Sequence, residues 1–249
     1  MRALTSKLKP VQGFSHYFHL GLTTFLPAIV FVLVRTDFVQ TAVALILLSK
    51  WRMFVVRPRY WLANLSANAV DIIVGLSVIV FMDHTSSAAL QLVWAALYGV
   101  WLVFIKPGSS IFKVSLQAMI GQAIGLVALY TAWLTAPSFG IVLATWFICY
   151  LAARHFFSSF EDQYTGLYAH TWGYFSAALT WVLSHWLLFY STIPQPALLL
   201  SVAGFGLAGM FYLSETERLS PLLRKQFMFI MFAIVLVVLV FSDWGDKTI

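Results

Sequence analysis

Apolar segments follow one another along almost the whole chain and are separated by short stretches that contain charges, prolines and polar clusters. A helix needs about 20 apolar residues to cross about 30 Å of hydrocarbon. The regular alternation that is typical of a transmembrane β-barrel is absent. We therefore predict an all-α polytopic transmembrane bundle. Its nine spans are expected at about 15–34, 38–55, 61–82, 88–106, 111–134, 139–158, 169–191, 196–213 and 226–242.

The basic residues give an independent test of this count. Nine spans would place thirteen of the fifteen Lys and Arg residues on one side, leaving only Arg35 and Lys247 on the other. Loops rich in Lys and Arg stay in the cytoplasm, so we predict a cytoplasmic N-terminus and an outer C-terminus. The thirteen are Arg2, Lys7, Lys9, Lys50, Arg52, Arg57, Arg59, Lys106, Lys113, Arg154, Arg218, Arg224 and Lys225.

Composition supports a membrane location. Apolar residues make up 61% of the chain and charged residues 10%, whereas about 25% of residues are charged in a soluble domain. The mean hydropathy is +0.87. We predict one integral membrane domain over residues 1–249, in the cell (plasma) membrane. The net charge of +6 is explained by basic residues that orient the chain in the membrane and contact the anionic lipid of the inner leaflet. No nucleic-acid partner is expected.

Asp71 is the most informative single residue. It lies about 15 Å along span three, near the bilayer centre, where a carboxylate is costly and is a functional candidate by default. Asn64, Asn68, Asp71 and Gly75 share one helix face. No basic residue is expected at this depth, so we expect a neutral Asp71 that Asn can replace without loss of the fold. The alternative is a structural Asp that clamps neighbouring helices.

Other polar side chains also lie inside predicted spans. Gln117 and Gln122 belong to span five, and Ser176, Thr180 and Ser184 recur every four residues in span seven. Such side chains either line a hydrated path or make hydrogen bonds between helices. Small residues, Gly121 and Gly125 among them, form a stripe in span five that lets a neighbouring backbone approach closely. Spans five and eight are therefore expected near the centre of the bundle.

Metal and cofactor sites find little support in the sequence. The chain has six histidines and one cysteine, Cys149, without the spacing of a haem or zinc site. His155, Glu161, Asp162 and His170 form only a loose group on the predicted inner side. We predict no metal site, and the sequence identifies no cofactor.

Three functional hypotheses remain open. The first is a small-solute or ion transporter or channel with Asp71 at a buried site, helped by the polar residues of spans three, five and seven. The second is an enzyme or binder of membrane lipid, with Arg52, Arg57 and Arg59 on head-group phosphate and with His155, Glu161, Asp162 or His170 as acid–base groups. The third is a structural subunit of a membrane complex or oligomer. Recognised catalytic motifs are absent from the sequence, which favours a protein that is not an enzyme.

Overall fold

The computed structural model describes residues 14–50, 57, 61–133, 137–160, 162–185, 189–190 and 193–242. Within these residues the chain forms nine α-helices and one two-stranded hairpin. The helices are α1 (Phe14–Arg35), α2 (Val39–Leu48), α3 (Trp61–Asp83), α4 (Ala88–Val100), α5 (Ile111–Ala132), α6 (Ser138–Ser158), α7 (Thr165–Ser184), α8 (Gln195–Glu215) and α9 (Pro221–Phe241). Strands β1 (Phe189–Tyr190) and β2 (Ile193–Pro194) pair in antiparallel fashion between α7 and α8.

Helix ends follow the prolines and small polar residues of the sequence. Pro196 and Pro221 occupy the first turns of α8 and α9, where a missing backbone N–H costs nothing. Ser110 and Ser220 cap α5 and α9 by accepting hydrogen bonds from the backbone N–H three residues later. Pro27 lies inside α1, which continues through it.

Each predicted span contains a helix, but several helix ends differ from the prediction, most clearly those of α2 and α7. Helix α2 ends at Leu48, although span two was predicted to reach residue 55. Helix α7 ends at Ser184, and the hairpin occupies the end of the segment that was predicted as span seven. Both errors have one cause, since an apolar stretch continues beyond each helix and hydropathy alone does not show where the helix ends.

Among the described residues, six helices are long and apolar enough to cross a membrane, which fits an all-α polytopic membrane protein. The described apolar part of α1 (Thr24–Arg35) and all of α2 are shorter. Helix α7 carries more polar residues and is not among the six. The six are Asn64–Asp83, Ala88–Ile105, Ile111–Ala132, Ser138–Ser158, Gln195–Glu215 and Pro221–Phe241.

Helix α5 lies at the centre of the bundle, as its stripe of small residues predicts, and packs against α3, α6 and α8. A Cβ atom on Gly121 would lie 2.6 Å from Val70 Cγ1, and one on Gly125 would lie 2.5 Å from Ile73 Cγ2. These glycines therefore allow α3 and α5 to approach more closely than a larger residue would permit.

Helix α9 lies at the edge of the bundle and packs mainly on α8. Phe227 contacts Gly209 and Met231 contacts Gly206, so two glycines of α8 receive its side chains. Val238 is the buried residue of α9 in the described structure, and the remaining apolar side chains of this helix are largely exposed. Such an exposed apolar surface suits contact with lipid.

Charge is distributed unevenly between the two ends of the bundle. Phe112 at the start of α5 contacts Tyr212 near the end of α8, and Phe156 near the end of α6 contacts Phe211 of α8. The ends of α6 and α8 and the starts of α5, α7 and α9 therefore lie at the same end of the bundle. We call this the basic end, because its described residues include six basic and three acidic side chains. They are Lys106, Lys113, Arg154, Arg218, Arg224 and Lys225 against Asp162, Glu215 and Glu217. The opposite end carries Arg35, Asp37 and Asp83.

Candidate functional site

Asp71 lies in the middle of α3 and accepts hydrogen bonds from three neighbouring side chains. Its Oδ2 atom accepts from the ammonium groups of Lys50 and Lys106, the latter at 2.8 Å. Its Oδ1 atom accepts from the indole Nε1 of Trp101 at 2.9 Å. Both carboxylate oxygens are therefore occupied by charged or polar donors. We call Lys50, Asp71, Trp101 and Lys106 the charged cluster.

The prediction that Asp71 has no basic partner is wrong, because Lys50 and Lys106 both lie against its carboxylate. Lys50 was placed at the membrane edge because span two was expected to continue past it. Helix α2 instead ends at Leu48, which leaves Lys50 beside the middle of α3. Lys106 reaches Asp71 from the end of α4, since a long lysine side chain can extend well beyond its own backbone position.

A π-helical turn positions the other two members of the charged cluster. Helix α4 continues into a π turn over Trp101–Ile105, where Lys106 N donates to Trp101 O at 2.8 Å, five residues back. A π turn adds a residue to the helical turn and occurs frequently at functional sites. Trp101 is the first residue of this π turn and Lys106 is the residue after it. The π turn at the end of α4 therefore positions both of these donors to Asp71.

The charged cluster is buried and its formal charges do not cancel. The side chains of Lys50 and Asp71 are 7% and 9% exposed, whereas the side chain of Lys106 is 31% exposed. Two ammonium groups face one carboxylate, which leaves one positive charge in excess. Buried charge is costly unless it is paired. Lys106 is therefore the more exposed of the two lysines.

Tyr98 adds a buried hydroxyl one helical turn before Trp101. Its side chain is among the largest fully buried ones, and its hydroxyl has no hydrogen-bond partner within the described residues. A Cβ atom on Gly75 would lie 2.9 Å from Tyr98 Oη, so glycine at this position makes room for the hydroxyl. Gly75 lies one turn beyond Asp71 on the same helix face, and α3 therefore presents both residues to α4.

The two asparagines of the predicted stripe do not contribute side-chain hydrogen bonds to the charged cluster as described. Asn68 Nδ2 donates within α3 to the backbone carbonyl of Asn64 at 2.9 Å. The donors to Asp71 come instead from α4 and from the residues that follow α2 and α4. Of the four residues of that face, Asp71 and Gly75 contact residues of other helices near the cluster.

Gln117 holds the backbone turn that carries Lys106. Its Nε2 atom donates to the carbonyl oxygens of Ile105 at 2.7 Å and Gly108 at 3.1 Å. Its Oε1 atom accepts from His155 Nε2 at 3.0 Å. The side chain therefore connects α5 and α6 to the end of α4. A polar chain of contacts runs from His155 through Gln117 and this turn to Lys106 and Asp71.

Gln122 joins α5, α7 and α8. Its Nε2 atom donates to Leu200 O at 3.1 Å, and its Oε1 atom accepts from Trp172 Nε1 at 2.8 Å. A Cβ atom on Gly204 would lie 2.4 Å from Gln122 Nε2, so this glycine makes room for the amide. Both ends of the Gln122 side chain are thus used in contacts between helices.

The three polar residues of α7 are buried and hydrogen-bonded. Thr180 Oγ1 accepts from Tyr130 Oη of α5 at 3.1 Å. Ser176 and Ser184 donate to the carbonyl oxygens of Trp172 and Trp181, one turn earlier in α7. Thr180 thus makes the hydrogen bond between helices that one alternative expected, whereas the bonds of Ser176 and Ser184 stay within α7. They lie on α7 and α5, apart from the charged cluster.

The described members of the set proposed for lipid chemistry make separate contacts. Arg57 is exposed, and Arg52, Arg59 and Glu161 lie outside the described residues. His170 Nδ1 contacts Gly166 O at 2.7 Å, and Asp162 accepts from the backbone N–H of Tyr164 at 2.8 Å. Among the described residues, no three His, Cys, Asp or Glu side chains are close enough together to hold a metal ion.

Two apolar cavities lie outside the charged cluster. The larger has a volume of about 460 Å³ and is bounded by α5, α6, α7 and α8. The smaller, of about 360 Å³, lies between α3, α5 and α6. The larger cavity lies toward the basic end, because its lining includes Phe157 near the end of α6, Tyr168 near the start of α7 and Phe211 near the end of α8.

Comparison with known proteins assigns no family to this chain. No protein-family model matches the sequence, and neither a curated protein nor a solved structure is detectably similar to it. Function must therefore be inferred from the chain itself. The charged cluster is the arrangement of side chains in the described structure that most needs a functional explanation.

Proposed function

We propose that this protein is a transporter or channel for a small anionic solute, and that the solute passes beside the charged cluster. The observation that carries the proposal is the buried carboxylate of Asp71 held between the ammonium groups of Lys50 and Lys106. Ionisable residues inside a membrane bundle are costly and usually belong to ion or substrate pathways. A structural clamp would need one lysine, and a second, partly buried lysine adds cost without adding a partner.

The excess positive charge favours an anion. A cation that approached Asp71 would meet two ammonium groups, whereas an anion beside Lys106 would neutralise the cluster. This narrows the first functional hypothesis, a small-solute or ion transporter or channel with Asp71 at a buried site, to one for an anion. In the revised interpretation Asp71 positions the two lysines, and Lys106, as the more exposed of them, makes first contact with the solute. The hydroxyl of Tyr98 is a further donor close to this path.

Backbone irregularity at the same place supports transport. Helix α2 is short and ends beside the cluster, and α4 changes to a π turn there. Transporters commonly place their binding sites at interrupted helices near the bilayer midplane. We further propose nine spans with the basic end in the cytoplasm, because the basic residues are concentrated there. Anionic lipid of the inner leaflet of the plasma membrane is then the partner of this end.

Flux in reconstituted vesicles tests the proposal. Purified protein in liposomes should carry chloride, nitrate or acetate faster than empty liposomes, and should not carry sodium. Lys106→Gln should abolish this flux while the protein still folds, because Lys50 and Asp71 remain a neutral pair. Lys225→Gln, an exposed change on α9, is the control and should transport normally. Normal flux through Lys106→Gln, flux of sodium, or no anion flux in wild type would each refute the proposal and favour a structural role.

A further inference from the structure

We infer that α6 and α7 carry a binding site for one anionic phospholipid, with Arg154 on the lipid phosphate and an acyl chain along Tyr150 and Trp146. The site lies on the outer surface of these two helices, at the basic end of the bundle. None of its residues belongs to the charged cluster, so the inference can hold or fail separately from the proposed transport. It rests on side-chain contacts, on the open space beside Arg154 and on the order of chemical groups along α6.

Arg154 ends a row of side chains on α6. Trp146, Tyr150 and Arg154 recur every four residues and therefore share one helix face. The rings of Trp146 and Tyr150 are stacked, with centroids 5.2 Å apart and an angle of 3° between their planes. Arg154 Nη1 donates to Tyr150 Oη at 2.6 Å, and the guanidinium carbon lies 5.9 Å from the centre of the Tyr150 ring. Tyr150 thus holds the guanidinium at a defined place on the surface.

A second row of side chains on α7 lies beside the first. The His170 imidazole lies 4.7 Å from the Tyr150 ring between centroids. Tyr174, one turn further along α7, lies 6.0 Å from the preceding aromatic ring of the α6 row. Because the two helices are antiparallel, the same register places Gly166, one turn before His170, beside Arg154. A Cβ atom on Gly166 would have no atom within 4 Å, so the surface is open at this position.

The guanidinium of Arg154 has donors left for a phosphate. It carries five N–H groups, and the contact with Tyr150 is the one hydrogen bond that its side chain forms among the described residues. Among those residues it also forms no ion pair. Asp162, in the turn between α6 and α7, instead accepts from the backbone N–H of Tyr164 at 2.8 Å. Arginine binds phosphate through two parallel N–H···O bonds, which the remaining donors allow.

His170 adds a second polar group beside Tyr150. Its Nδ1 atom lies 2.7 Å from Gly166 O, and since a carbonyl oxygen only accepts, Nδ1 carries the hydrogen of this bond. The imidazole is exposed and keeps its Nε2 atom for a ligand. In the neutral ring this atom accepts a hydrogen bond from a hydroxyl. Arg154 and His170 together therefore suit phosphatidylglycerol, whose phosphate is anionic and whose head group carries hydroxyls.

The order of chemical groups along α6 favours a lipid over a free anion. Arg154 lies one turn before the end of α6, whereas Tyr150 and Trp146 lie about 6 and 12 Å further from that end at 1.5 Å per residue. Helix α6 is long and apolar enough to cross a membrane, so this direction leads into the hydrocarbon. A phospholipid has the same order, with its phosphate at the membrane surface and its chains below. Free phosphate would leave the aromatic part of the surface without a partner.

Lipid retention tests the inference. Purified protein in mild detergent is mixed with phosphatidylglycerol or phosphatidylcholine of identical acyl chains and examined by native mass spectrometry. Wild type should retain one phosphatidylglycerol molecule more strongly than phosphatidylcholine. Arg154→Gln should lower this preference by about fivefold, since one basic residue near a membrane surface contributes about that factor. Arg224→Gln, which changes another exposed arginine at the same end, is the control and should keep the preference.

Filling the open position separates this site from general attraction to a basic surface. Gly166→Leu should lose the bound lipid and still elute as a folded protein. Gly21→Leu on α1, where the new Cβ also has no atom within 4 Å, should keep the lipid. Glycerol phosphate, which lacks the chains, should not displace the lipid at equal concentration.

Five results would each overturn the inference. Wild type retains neither lipid or both equally, or Arg224→Gln lowers the preference as much as Arg154→Gln. Gly166→Leu binds phosphatidylglycerol normally, glycerol phosphate competes as well as the lipid, or a second protein chain covers this surface instead.

Discussion

Replacement of Asp71 by Asn should strongly destabilise the protein. Asparagine has nearly the same size as aspartate, so packing is preserved and the change removes only charge. Lys50 and Lys106 would then face each other without a carboxylate. The side chain of Lys50 is 7% exposed and cannot reach water without local unfolding. Removal of one partner from a buried ion pair costs about 3–5 kcal/mol, and we expect a loss of that size.

Lys106→Gln is the matched comparison. It leaves Lys50 and Asp71 as a neutral pair and removes the more exposed lysine, which can be partly hydrated in the wild type. The lost hydrogen bond is offset by relief of repulsion between two ammonium groups, so we expect a cost of about 1 kcal/mol or less. The large cost should therefore come from the carboxylate and not from either lysine alone.

Thermal unfolding in detergent, followed by the amount of protein that still elutes as a single species, measures the difference. For a chain of this size a loss of 3–5 kcal/mol corresponds to a melting temperature lower by about 10 °C. Combining Asp71→Asn with Lys50→Met should recover much of the loss, because Lys106 alone can turn toward solvent. If Asp71→Asn melts like Lys106→Gln, or if the double variant is worse than the single one, the charges are not paired as described.

Three further outcomes are expected. Gly121→Leu should lower stability by about 1–3 kcal/mol because its side chain collides with Val70. Gly166→Leu, with no atom within 4 Å of the new Cβ, is the control and should melt like wild type. If both variants melt at the same temperature, the Gly121 face lies on lipid. Tyr98→Phe removes a hydroxyl without a described partner and should leave unfolding unchanged or raise stability, so a clear loss in the same melting assay would reveal a hidden hydrogen bond. Reporter fusions near Ser220 and at the C-terminus should report opposite sides of the membrane, and the same side for both would mean that α9 does not cross.

The helices could be predicted from sequence because their causes are local. Apolar length, prolines and clustered charges predicted nine segments, each of which contains a helix, and the stripe around Gly121 predicted the central place of α5. Six helices among the described residues qualify as membrane spans. These signals need no knowledge of neighbours, since a helix satisfies its own backbone hydrogen bonds. The end of α2 was misplaced because the residues after Leu48 include further apolar side chains.

The partners of Asp71 could not be predicted for a related reason. The depth of each residue in the membrane was predicted on the assumption that every span has its full length. A full-length span two placed Lys50 near the membrane edge. Trp101 and Lys106 were separated from Asp71 by about 30 residues of chain, and nothing local indicates that a π turn brings both to it. One signal was present: Lys50 and Lys106 both lie at the ends of predicted spans that neighbour span three.

The side-chain amide of Gln117 connects α5, α6 and the turn after α4. Its contacts with Ile105, Gly108 and His155 mean that the backbone before and after Lys106 is fastened to α5 and, through the imidazole, to α6. A tilt of α6 relative to α3 would therefore pull on the base of Lys106 while Asp71 stays with its own helix. Such a tilt would change the distance between the Lys106 ammonium and the Asp71 carboxylate.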